Sequence, residues 1–187
     1  MSARVRIVTE PRPVWADAPR YCPGAPWPTY RHVPGISPHP TRHPDGHSNL
    51  APPHAGLLVR DTLLFGVDLY HQGYLWEAHE AWEHLWQQSG RDSLEGRLLQ
   101  ALIKTAAAVL KLHMGSVRGA RRHSRDAYEL LNSLLAETEA LTRGIANGID
   151  IASLASGIEH CFGPMWIDES ASAPKSDTYP RINVRQA

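Results

Sequence analysis

The run His79-Glu80-Ala81-Trp82-Glu83 carries the side chains best suited to chemistry. On a helix, His79 and Glu83 stand four residues apart on adjacent turns of one face, a spacing that lets both bind one metal ion. Glu80, between them, is then the candidate general base. The pattern is that of the helical zinc hydrolases with glutamate in place of the second histidine. Carboxylate ligands open the choice of cofactor to manganese and iron as well as zinc. A further ligand has to come from elsewhere, and the segment PGISPHPTRHPDGHS offers His39 and His47, with His43 between them.

The same helix also supports a reading without metal. At about 100° per residue, Tyr74, Leu75, Ala78, Ala81, Trp82, Leu85 and Trp86 form one apolar face. Trp76, Glu80, Glu83 and Gln87 fall opposite, with His79 at the border. Residues 74–89 contain neither Lys nor Arg, so these acids lack the basic partners that a solvated helix face usually supplies. Acids placed near a second interface need hydrogen-bond or charge partners, because an unpaired buried charge costs several kcal/mol or neutralises itself. The expected face packs against an N-terminal arm or another subunit, with Glu80 and Glu83 bonding capping amides or reaching Gln100 and Lys104 on the following helix, and with Tyr74, Trp76, Glu77 and Trp86 in the same binding or polar network. In an enzyme, Gln100 or Lys104 would instead orient substrate.

Five helices are expected to position these groups. Proline is absent from about residue 57 to 143, and apolar residues there recur at helical spacing. A first helix over 57–71 ends at Gly73, and the second covers 74–89. Ser93 caps a third that reaches Met114 before Gly115, and Ser116 caps a fourth that runs to about Arg143-Gly144. Asp150 caps a short fifth helix through about His160. The third helix is apolar almost all round and belongs at the centre. Twelve of the 15 prolines lie in residues 1–54, which prevents continuous helix there. Trp15, Tyr21, Trp27 and Tyr30 are interleaved with them, so the arm should drape over the helices and touch the second one. The domain plan is a proline-rich arm (1–54), a helical bundle (55–162) and a loose tail (163–187).

Composition removes several function classes. Lys plus Arg and Asp plus Glu both count 19, which calls for neither a nucleic-acid backbone nor an anionic membrane. The arginines at 118, 121, 122 and 125 read as a solvated face. Cys22 and Cys161 are too few for a disulfide framework, and no apolar run approaches the roughly 18 residues of a membrane span. A soluble, cytoplasmic protein is expected. No glycine-rich phosphate loop or nucleophile motif occurs.

The chain resembles the domain of unknown function 309 family over roughly residues 60–143. The shared residues are Gly73-Tyr74, Trp76-Glu77-Ala78-His79-Glu80, Trp82-Glu83 and Trp86, then Leu99-Gln100-Ala101-Leu102-Ile103, His113-x-Gly115 and Arg118-Gly119-Ala120. Tyr30 to Gly35, Pro38-His39-Pro40 and Gly46-His47-Ser48 are similar to the N-terminal extension of longer members. The resemblance implies an all-helical fold. It carries no established reaction, although some members are labelled metal-dependent hydrolases.

The expectation is therefore an all-α protein: a single helical bundle of four to five helices with an extended, proline-rich N-terminal arm packed on it. The first functional expectation is a binding or scaffold module, as a homo-oligomer or with a small-molecule or protein partner of unknown identity. The alternative is a metal-dependent hydrolase in which His79 and Glu83 are ligands and Glu80 the base.

Overall fold

The computed structural model describes residues 13–137 and 148–185. Among these residues the protein is an all-α bundle of five helices: α1 (Val59–His71), α2 (Leu75–Gln88), α3 (Leu94–His113), α4 (Val117–Ala136) and α5 (Ile151–Ile167). The expected continuation of the fourth helix to residue 144 lies outside the described residues.

Two glycines set the sharp reversals that stack these helices. Gly73 and Gly115 have φ of 82° and 72°, a conformation that costs glycine nothing. After α1, the Gly73 amide donates to Tyr70 O and the Tyr74 amide to Leu69 O. After α3, the Gly115 amide donates to Leu112 O and the Ser116 amide to Lys111 O. Both are Schellman endings that satisfy the last helical carbonyls. Ser93 caps α3 by accepting from the Gly96 amide at 2.9 Å, and Asp150 caps α5 by accepting from Ser153 at 3.0 Å. Ser116 differs from expectation: its side chain makes no capping bond.

Helix α3 packs against both α2 and α4, α1 against α2, and α4 against α5. Phe65, Tyr70, Trp82, Leu102, Leu131 and Phe162 are among the large side chains sealed in the resulting core. Trp82 also needs a polar partner for its indole N–H, and it donates to Leu63 O of α1 at 3.1 Å. Gly66 makes room for that ring, because a Cβ there would collide with it.

The C-terminal part departs from expectation. Helix α5 continues past His160 to Ile167 with Pro164 inside it. Proline ordinarily stops a helix, but Cys161, Phe162 and Met165 are buried and their packing carries the helix through. The segment after 163, expected to be loose, is anchored. Ile182 is fully buried, Pro180 O accepts from Tyr70 Oη at 2.8 Å and from Trp15 Nε1 at 3.3 Å, and Asn183 O accepts from the Asp150 amide at 2.8 Å.

No helix among the described residues is long and apolar enough to cross a membrane.

Candidate functional site

Two buried carboxylates hold the proline-rich arm on the bundle. Asp68 of α1 accepts from the amides of Tyr21 and Cys22, both at 2.8 Å. Glu77, in the first turn of α2, accepts from the His32 amide at 2.7 Å and from His47 Nε2 at 2.9 Å. A chain that cannot form helix leaves its amides without local partners, and these acids supply them. Burial raises both carboxyls above the ordinary range, opposed at Asp68 by the two amides and at Glu77 chiefly by the His47 ring. Between the anchors, Trp27 stacks on Tyr74 with ring centroids 5.7 Å apart.

Beside Glu77 the next turns of α2 present His79, Glu80 and Glu83. His79 Nδ1 lies 3.4 Å from Glu80 Oε1 and 4.0 Å from Glu83 Oε2. One ligand atom from each residue falls within 4.8 Å of the others, and all three side chains are half-buried. Trp76 stands over this face, ringed by His32, His39 and His79 at centroid distances of 4.9, 5.8 and 5.7 Å.

Residues 63–123, which contain most of α1, all of α2 and α3 and the start of α4, with the helix-ending glycines and this face, match the family model for domain of unknown function 309 (DUF309). This segment is a DUF309 domain. No curated protein matches the chain. The arm lies outside the matched segment, yet it forms one wall of the DUF309 domain's polar face.

That wall and α2 enclose a small pocket of about 30 Å³, lined in part by His47, His54, Trp76, Glu77 and Glu80. It has room for a water or a single ion. Glu77 Oε2 is buried without a hydrogen-bond partner among the described residues. Glu80 is held below the usual carboxylate range by its bond to His79 and by the His39 and His54 rings, so it is charged at neutral pH.

The candidate residues thus divide. His79, Glu80 and Glu83 form one cluster, and Trp76 with His39 adjoins it. Glu77 and His47 form a separate pair, each side chain only 2% exposed. His47 spends its second nitrogen on Ser48 Oγ at 2.8 Å, so neither ring nitrogen is left for a metal. His39 Nδ1 accepts from the Thr41 amide at 3.3 Å. Tyr74 belongs to the apolar stack with Trp27, and Trp86 sits near the far end of α2 with Arg91 over its ring at 5.2 Å. Lys104 does not join α2: it pairs with Asp126 of α4 at 2.7 Å, because its position on α3 faces the opposite neighbour. Gln100 is half-buried on α3 and makes no side-chain hydrogen bond among the described residues.

Sequence reasoning missed three residues of this region. His32 enters through its backbone amide, which no side-chain pattern reveals. Asp68 sits on the apolar first helix, where an isolated acid was the available signal. His54, in Pro52-Pro53-His54, reaches the pocket only because the arm folds back.

Proposed function

We propose that the protein is a metal-binding module, with His79, Glu80 and Glu83 of the DUF309 domain holding one divalent cation of the zinc, manganese or iron class. The observation that carries this reading is the convergence of one nitrogen and two carboxylate donors within 4.8 Å on a half-buried helix face. For metal–ligand bonds near 2.1 Å, tetrahedral donor atoms stand about 3.4 Å apart. The separations of 3.4 and 4.0 Å from His79 Nδ1 to the two carboxylates reach that with small side-chain rotations. Two carboxylates match the charge of the ion, and a mixed N,O set suits these metals. Glu77 and His47 act as the clasp that keeps the arm beside the site. A cytoplasmic setting accords with two free, unpaired cysteines.

The position of Glu80 favours a second reading, metal-dependent hydrolysis. Its carboxylate belongs to the cluster and also lines the pocket, where a general base could activate a metal-bound water. Glu80→Gln separates the roles. As a base, Glu80 is replaceable without loss of metal; as a ligand, its replacement weakens binding.

Elemental analysis of untagged protein, purified without chelator, tests the primary reading. The expected result is close to one metal ion per chain, lost in His79→Ala and in Glu83→Ala while both remain folded. Absence of metal from the wild-type protein, even after incubation with Zn²⁺, Mn²⁺ or Fe²⁺, would overturn it and leave α2 as the polar face of a scaffold.

A further inference from the structure

We propose that the pocket between the arm and α2 binds one ammonium group, as the free ion or as the head of an alkylamine, with Glu77 as its buried anchor and Glu80 at its rim. The site is separate from the cluster of His79, Glu80 and Glu83, to which Glu77 does not belong, and it needs no metal.

Glu77 supplies the observation that points to a ligand. Its side chain is only 2% exposed, and Oε1 takes both the His47 ring and the His32 amide. Oε2 is buried and has no hydrogen-bond partner among the described residues. A buried carboxylate oxygen without a donor carries its full desolvation penalty. Because Glu77 lines the pocket, Oε2 is the oxygen left to serve an occupant there. Glu80, whose side chain is 40% exposed, brings a second carboxylate to the same space. Among the described residues no Lys or Arg lines this pocket. Its histidines do not replace one: His47 is committed to Glu77 Oε1, and burial holds His54 below its ordinary pKa, which keeps that ring neutral at pH 7. Two acids thus share a small space without a base, and a positively charged donor fits it.

The walls decide which cation. Pro40, Pro52, Pro53, Leu69 and Trp76 form much of them, and none of these side chains ligates a metal. Zinc takes about four donors, and magnesium or calcium about six or more. An ammonium group needs only a few acceptors for its N–H bonds and is attracted to an aromatic ring. The volume of about 30 Å³ suits a group the size of one water, so the alkyl part of a longer amine stays outside, beyond Glu80.

The test uses the full chain freed of metal with EDTA and titrated calorimetrically in NaCl at constant ionic strength. The probes are ammonium, methylammonium, n-butylammonium and tetramethylammonium chlorides. The expected result is saturable binding of ammonium or methylammonium at one site per chain, and none of tetramethylammonium, which has no N–H and exceeds the pocket. Glu77→Gln and Glu80→Gln, each checked by thermal unfolding, should bind at least about tenfold more weakly; Glu80→Gln, at the rim, keeps the test decisive if Glu77→Gln folds poorly. Tighter binding of n-butylammonium than of ammonium would support a chain-borne amine such as a lysine side chain, and the reverse order would support the free ion. No saturable binding by the wild-type protein, unchanged affinity in the folded variants, or an equal effect from tetramethylammonium or KCl would overturn the proposal and leave the pocket to water. With metal absent throughout, none of these outcomes bears on the α2 metal reading.

Discussion

Replacing Glu77 with alanine should cost about 3–4 kcal/mol, a large share of the roughly 5–15 kcal/mol that holds a domain folded. The carboxylate accepts from the His32 amide at 2.7 Å and from His47 Nε2 at 2.9 Å, and the Glu77 and His47 side chains are each 2% exposed. Truncation leaves two buried donors unsatisfied, at about 1–3 kcal/mol each. The relieved desolvation of the carboxylate, visible in its raised pKa, offsets part of that loss. Glu77→Gln keeps an acceptor oxygen and should cost about 1–2 kcal/mol. Urea unfolding followed by tryptophan fluorescence measures both. Trp27 and Trp76 lie at the arm contact, so a lower m-value in Glu77→Ala would mark an arm already undocked before global unfolding. A double-mutant cycle with His47→Ala should give a coupling above about 1 kcal/mol, since the two residues share one network. A loss below about 1 kcal/mol in Glu77→Ala would refute the view that this carboxylate clasps the arm.

Other outcomes follow from the same structure. Gly66→Ala drives a methyl into the Trp82 indole and should destabilise by about 1–3 kcal/mol through overpacking; an unchanged melting temperature would contradict that packing. Acid should weaken the fold between pH 6.5 and 4. Burial holds His32 and His71 at about 4, so the unfolded chain binds more protons across that window, and stability present above 6.5 is lost as pH falls, by about 3 kcal/mol per histidine. His71 has a specific reason to stay neutral, since its Nε2 accepts from the Ile182 amide and a proton there would face that N–H. Asp68 and Glu77, with raised carboxyl pKa values, oppose this trend near the acidic end; a urea midpoint that stayed flat from pH 7.5 to 5 would exclude the histidine effect. Asp126→Asn should cost under about 1 kcal/mol, because its pair with Lys104 is partly solvated, and a larger loss in thermal unfolding would show that the pair matters more than its exposure implies.

The helices were legible because their signals are local. Gly73 and Gly115 end α1 and α3 where φ must be positive, Ser93 and Asp150 cap α3 and α5, and the apolar face of α2 follows from a period of 3.6 residues. Each of these is settled within one or two turns of chain. What the polar residues of α2 meet was decided elsewhere. Glu77 and Glu80 are the same residue type three positions apart, yet one is a buried clasp and the other belongs to a half-buried cluster, because the arm covers the first turn of α2 more completely than the next. Which arm histidine goes where was equally hidden: His47 pairs with Glu77 and His54 faces the pocket with Glu80, and a proline-rich segment has no periodicity from which to read such contacts. The C-terminal segment docks for a similar reason, since Pro180 O and Ile182 find partners more than a hundred residues away in Tyr70 and His71. The amino-acid sequence by itself determined the helices, the ends of α1 to α3 and the HExxE face. Only the tertiary structure decided the arm's course and the tail's, because long-range pairing depends on which surfaces meet once the helices have packed.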